Sequence, residues 1–115
     1  MKKEEFINIF LPDGLQAFFE ITQIEKNLDN YIIHLEENNT YPEEFKNSKL
    51  ESKGFYEPIT VQDFPLRGKA CYFMVKRRRW IDLSTGNIVT RNWDLVAKGT
   101  RLTKEFANFL KAINR

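Results

Sequence analysis

Apolar residues along this chain recur with two different periods. In residues 3–11, KEEFINIFL, Phe6, Ile7, Phe10 and Leu11 gather on one side at helical spacing, and Pro12, Asp13 and Gly14 end the run, which predicts a short amphipathic helix. Alternation follows. The segments LQAFFEITQIEK and NYIIHLEE place Ala17, Phe19 and Ile21 on one face of the first, and Tyr31, Ile33 and Leu35 on one face of the second. Residues 27–30, Asn-Leu-Asp-Asn, suit a turn, so the two segments predict a β-hairpin. Residues 38–53 carry only three large apolar side chains, Tyr41, Phe45 and Leu50, and read as an irregular or weakly helical connection.

Beyond Gly54 the alternation returns. PITVQDF puts Ile59 and Val61 on one face, residues 65–68 suit a turn, and a further strand begins near Lys69, with Cys71, Phe73 and Val75 facing one way and Tyr72 and Met74 the other. That strand runs directly into Lys76, Arg77, Arg78 and Arg79 before it reaches Trp80. A guanidinium or ammonium taken out of water without a partner loses its hydration uncompensated, so either the strand has reached solvent by residue 76 or each cation meets an anion. Asp82 is the only acid close by in sequence. Ser84, Thr85, Gly86 and Asn87, between Leu83 and Ile88, predict a second hairpin whose far strand carries Arg91 and Trp93. Residues 100–115 form the clearest helical pattern: Leu102, Phe106, Phe109, Leu110 and Ile113 share an arc of about 100 degrees, and Thr100 or Thr103 can cap the start. Arg101, Lys104, Lys111 and Arg115 gather on the opposite side.

These elements predict an α+β fold: a single domain, residues 1–115, of antiparallel β-hairpins flanked by an N-terminal and a C-terminal helix. Charge divides it. Residues 1–57 (the first helix, the first hairpin and the connection) hold 6 Lys and 12 acids, net −6, whereas residues 58–115 hold 12 Lys and Arg against 4 acids, net +8, with all seven arginines among them. Such a dipolar chain suits a basic surface for a polyanion with an acidic side toward a partner, or two halves that compensate each other within the fold. No run of about 18 apolar residues exists, and MKKEEFINIF lacks the apolar stretch of a secretory signal, so a cytoplasmic protein without a membrane span is expected.

Candidate chemistry is sparse. One cysteine and one histidine cannot supply the four ligands of an ordinary structural zinc site, so no metal and no cofactor are expected. Cys71 sits inside the apolar alternation and reads as a small buried hydrophobe rather than a nucleophile, and His34, which Glu36 or Glu37 could orient, reads as a surface or edge residue. No phosphate-cradling glycine loop or paired-acid motif is present, and no catalytic residue is assigned. The cations carry the functional expectation. Lys76, Arg77, Arg78, Arg79, Arg91, Lys98, Arg101 and Lys104 could line one edge where hairpin and helix meet and neutralise phosphates there. Trp80 and Trp93 read as core residues.

The order FYEPITVQDFPLRGKACYFMVKRRRW followed by VAKGTRLTKEFANFLK resembles the N-terminal region of insertion-sequence transposases, particularly the short-ORF type of Bacteroidetes elements. More distantly it resembles the leader of the zinc-ribbon transposases, through Asp63, Phe64, Pro65, Gly68, the strand at residues 70–75, and Arg78 with Arg79. The resemblance implies a ribbon-like hairpin domain ahead of a helix-turn-helix, with catalysis in a separate domain. Where the family's cysteine pairs would fall, this chain has TYPEEF and WIDLSTGNI, so the ribbon expected here is degenerate and metal-free. The expected function is then a non-catalytic DNA-binding region or accessory subunit that positions the double-stranded ends of a mobile element for transposition. The expected partners are that DNA and a catalytic transposase polypeptide, with a homodimer as a further candidate. The alternative is a protein-interaction module, its acidic segment at residues 38–53 docked on the catalytic polypeptide without contact to DNA.

Overall fold

The computed structural model describes residues 9, 11–12, 15–91 and 103–113. The first hairpin forms as its alternation requires: β1 (Phe19–Lys26) pairs antiparallel with β2 (Asn30–Glu37) across a turn in which the Asn27 amide donates to the Asn30 carbonyl at 2.9 Å. A bulge between Ile21 and Gln23 inserts one residue, so Ile24 rejoins the face of Phe19 and Ile21. Ala17 lies ahead of the strand in an exposed turn.

The remaining strands form one long bent ribbon. One side consists of β3 (Leu50–Phe55) and β4 (Ile59–Leu66), the other of β5 (Lys69–Lys76) and β6 (Arg78–Asp82), and β4 pairs with β5 as β3 pairs with β6, both antiparallel. Both sides break at the same level, at residues 56–58 and at Arg77, and there the ribbon passes from one sheet into another. The tip of the ribbon is a two-residue turn in which Arg67 (φ 54°) and Gly68 (φ 79°) both lie in the left-handed region, the requirement of a type I′ hairpin turn. Gly54, at φ 88°, allows the bulge between Ser52 and Phe55. Pro65, which has no amide hydrogen to donate, sits on β4 at an irregularity near the sheet edge.

Two sheets result. The first has the order β1-β2-β5-β4, with β2 and β5 parallel in register Ile33 to Phe73 and Leu35 to Val75; the second has the order β3-β6-β7, where β7 is Ile88–Val89. Each owns a core. Phe19, Ile33, Leu35, Val61, Cys71, Phe73 and Val75 pack with Leu11 and Leu15 on one face of the first sheet. Trp80, Leu50 and Val89 pack with Phe45 in the second. Burial of a side chain the size of Phe73, fully hidden here, stabilises by about 1.5–3 kcal/mol.

The one described α-helix, α1 (Lys104–Ile113), is capped by the fully buried Thr103, whose Oγ1 accepts from the Phe106 amide at 3.3 Å while its own amide donates to the Gln62 carbonyl of β4 at 2.8 Å. Thr103 is one of the two caps expected.

The fold class differs from the α+β arrangement of hairpins between two helices. The chain is mostly β, in two sheets, with one short helix among the described residues. The N-terminal helix expected at residues 3–11 falls almost wholly outside the described residues, and where the chain is next described, residues 15–18 form a turn. The connection at residues 38–53 contains a short 3-10 turn (Glu43–Phe45) but ends as β3. The physical reason for the difference is that strand pairing continues through the cation run instead of ending at it. Among the described residues no helix is long and apolar enough to cross a membrane.

Candidate nucleic-acid interface

The four consecutive cations lie where the ribbon changes sheets, and their alternation sends them to two adjacent aromatic rings. The Lys76 ammonium and the Arg78 guanidinium lie 5.6 and 4.5 Å from the Phe55 ring centroid, and the Arg77 and Arg79 guanidinium groups lie 5.0 and 5.5 Å from that of Tyr56. Strand pairing produces this arrangement: Phe55 is opposite Arg78, and the Tyr56 amide donates to the Arg77 carbonyl at 2.9 Å. Each cation–ring contact contributes about 0.5–1 kcal/mol where solvent reaches it.

A buried acid separates the structural cations from the others. Glu37, at the end of β2, is 1% exposed. One carboxylate oxygen accepts the Arg78 backbone amide at 2.9 Å, and the other accepts Arg91 Nε at 3.3 Å. The Glu37 carbonyl accepts Arg78 Nε at 3.1 Å, and Arg78 donates onward to Ser52 Oγ at 2.7 Å. Arg91 also donates to the Thr40 carbonyl at 2.6 Å and lies 4.0 Å from the Phe18 ring centroid. Arg78 and Arg91 therefore bind the first sheet to the second. Asp82, the only acid near the run in sequence, instead accepts the Ser84 amide at 2.9 Å and shapes the β6–β7 turn.

Lys76, Arg77 and Arg79 have no such acid. Among the described residues no carboxylate pairs with any of them, and the Nε atoms of Arg77 and Arg79 are buried without a hydrogen-bond partner. Arg79 has one backbone contact, donating to the Lys53 carbonyl at 3.2 Å. Lys76 is exposed. Lys104 is not part of this group. Its helix joins the ribbon beside Gln62, which is opposite Tyr72, roughly 13 Å along the strand from Lys76. Lys98 and Arg101 lie outside the described residues, as does Trp93. The residues missed by sequence reasoning are Glu37 and the Phe55–Tyr56 pair; the adjacent rings just ahead of a strand were the available signal.

The remaining titratable candidates have structural surroundings. Cys71 is buried, and its thiol is pushed up to about 11 by burial and by the nearby Asp63 carboxylate, which keeps it protonated and unreactive at neutral pH. His34 pairs through Nε2 with Glu25 across the hairpin at 2.5 Å, so Glu25, and not Glu36 or Glu37, orients it. Trp80 is fully buried and donates from Nε1 to Asn39 Oδ1 at 2.7 Å, with the Tyr41 ring edge-on at 6.3 Å. Among the described residues no group of three or more His, Cys, Asp or Glu is placed to hold a metal ion. Comparison of the chain with protein-family models, curated proteins and solved structures finds no match.

Proposed function

We propose that this chain is a non-catalytic nucleic-acid-binding module that engages the phosphates of double-stranded DNA through Lys76, Arg77 and Arg79. The observation that carries this reading is the division of the cation run: Glu37 neutralises Arg91 and holds Arg78, whereas Arg77 and Arg79 are positioned by Tyr56 and, among the described residues, pair with no acid. Guanidinium groups fixed by an aromatic ring lose little rotamer freedom when a phosphate arrives, and each can form a forked contact to it. Because the Tyr56 ring already carries two cations, the site favours phosphate contact over base stacking. The resemblance to transposase N-terminal regions gives the context: the module would position element-end DNA for a catalytic polypeptide that cuts and joins it.

Fluorescence anisotropy of a labelled duplex, titrated with protein at several salt concentrations, tests the proposal. Binding should weaken steeply with salt, and the double variant Arg77→Gln/Arg79→Gln should reduce the slope of log K against log salt by about 2, since each lost phosphate contact contributes about 0.9. The double variant should still unfold cooperatively in a circular dichroism melt, destabilised only by the loss of its two contacts to the Tyr56 ring, about 1–2 kcal/mol. Absence of binding near about 50 mM salt, or an unchanged slope in a folded double variant, would falsify the reading.

A further inference from the structure

A cavity of about 310 Å³ opens on the core face of the first sheet, at the end away from the cation run. Ile24, Ile33, Phe64, Leu66 and Cys71 are among the residues that line it, and Asp63 is the acidic residue among otherwise largely apolar ones. Its rim is apolar as well: Ile24 is 50% and Phe64 38% exposed. The volume lies at the low end for small-molecule sites, which combine apolar walls with a few placed polar groups.

The acid sets the class of ligand. Asp63 Oδ1 accepts from Thr103 Oγ1 at 2.8 Å, and the Phe64 amide supplies a second hydrogen bond. A carboxylate has about four acceptor positions, so capacity remains for a donor arriving in the cavity. Burial raises the Asp63 pKa from its ordinary value, against the two hydrogen bonds, and Glu105 adds further negative charge beside it. A cation is the partner that relieves both effects. The nearby Lys69 does not serve, because its ammonium donates to the Asn27 carbonyl at 3.1 Å and lies over the Tyr31 ring.

We propose that this cavity binds a compact apolar amine, one aromatic or branched aliphatic group carrying a single ammonium that pairs with Asp63. The site is separate from the cation run and does not depend on the DNA-binding reading.

Three probes sharing one ring decide it: phenethylamine, phenethyl alcohol and phenylacetate, each titrated into the full chain while the amide resonances of Ile24, Asp63, Phe64 and Leu66 are followed by NMR. Phenethylamine should bind roughly tenfold more tightly than the alcohol, with phenylacetate weakest. In Asp63→Asn, whose side-chain oxygen can still accept from Thr103, amine and alcohol should converge to within about twofold while the alcohol keeps its parent affinity. No shift of those amides with any probe up to about 10 mM, or an amine preference that survives Asp63→Asn, overturns the proposal. If the variant fails to fold, equal affinities of the three probes for the parent chain overturn it alone.

Discussion

Replacing Glu37 with glutamine changes one oxygen to an amide nitrogen at the point where the two sheets meet. Glu37 is 1% exposed, and its two carboxylate oxygens accept from the Arg78 amide and from Arg91 Nε. Glutamine has only one oxygen. If that oxygen keeps the Arg78 amide, the new NH₂ faces Arg91 Nε, donor against donor. Hydrogen bonds to charged groups contribute about 1.5–3 kcal/mol, and leaving one partner of a buried pair uncompensated costs about 3–5 kcal/mol. Arg91, at 14% side-chain exposure, keeps the Thr40 carbonyl and some solvent, which places the expected loss for Glu37→Gln at about 2–4 kcal/mol. Glu37→Ala should cost more, since it also removes the acceptor for the Arg78 amide.

Urea unfolding followed by far-UV circular dichroism measures this directly. With a urea slope of about 1–2 kcal/mol per M, the midpoint of Glu37→Gln should fall by roughly 2 M. The double variant Glu37→Gln/Arg91→Gln supplies the decisive comparison. It removes both charges, so it should be more stable than the sum of the single losses by about 1–2 kcal/mol. An additive cycle, or a Glu37→Gln loss below about 0.5 kcal/mol, refutes the reasoning and means that Arg91 is adequately solvated without the acid. DNA binding by folded Glu37→Gln should stay near that of the parent, because Arg77 and Arg79 take no support from Glu37.

Two further outcomes follow from local geometry. Arg67 occupies the first position of the type I′ turn at φ 54°, where asparagine is better tolerated, so Arg67→Asn should raise stability by about 0.5–1 kcal/mol in the same urea assay; a loss would show that the arginine side chain makes a compensating contact. Cys71 gives a pH signature. Its thiol ionises near 9.0 when unfolded and near 11 when folded, so between those values the unfolded chain has released a proton that the native chain keeps, and stability falls as pH rises. The stability advantage of the parent over Cys71→Ala should therefore be constant below about pH 8 and smaller by roughly 1.4 kcal/mol at about pH 10. An advantage independent of pH over that window contradicts the burial of the thiol.

What was legible in the sequence, and what was not, can be argued from the ribbon itself. The strand from Lys69, its buried set Cys71, Phe73 and Val75, the first hairpin and the Thr103 cap all follow from local rules, because alternation and turn chemistry act over a few residues. The segment LESKGF that becomes β3 has no such alternation; it is a strand because β6 and the buried Trp80 lie beside it. The parallel pairing of β2 with β5 was equally out of reach, since nothing local records which strands 40 residues apart become neighbours, and it is this pairing that brings Glu37 to Arg78. One step was nonetheless available. Counting backward from the turn at Arg67 and Gly68, with allowance for two residues of slip, extends the hairpin past Ile59 and puts Phe55 and Tyr56 level with Arg78 and Arg77. Two rings meeting four alternating cations cannot all share a face: Lys76 and Arg78 go to Phe55, Arg77 and Arg79 to Tyr56. Strand parity thus decides that the arginine beside β2 is held by its acid while the arginines on either side of it in sequence meet the Tyr56 ring and, among the described residues, no carboxylate.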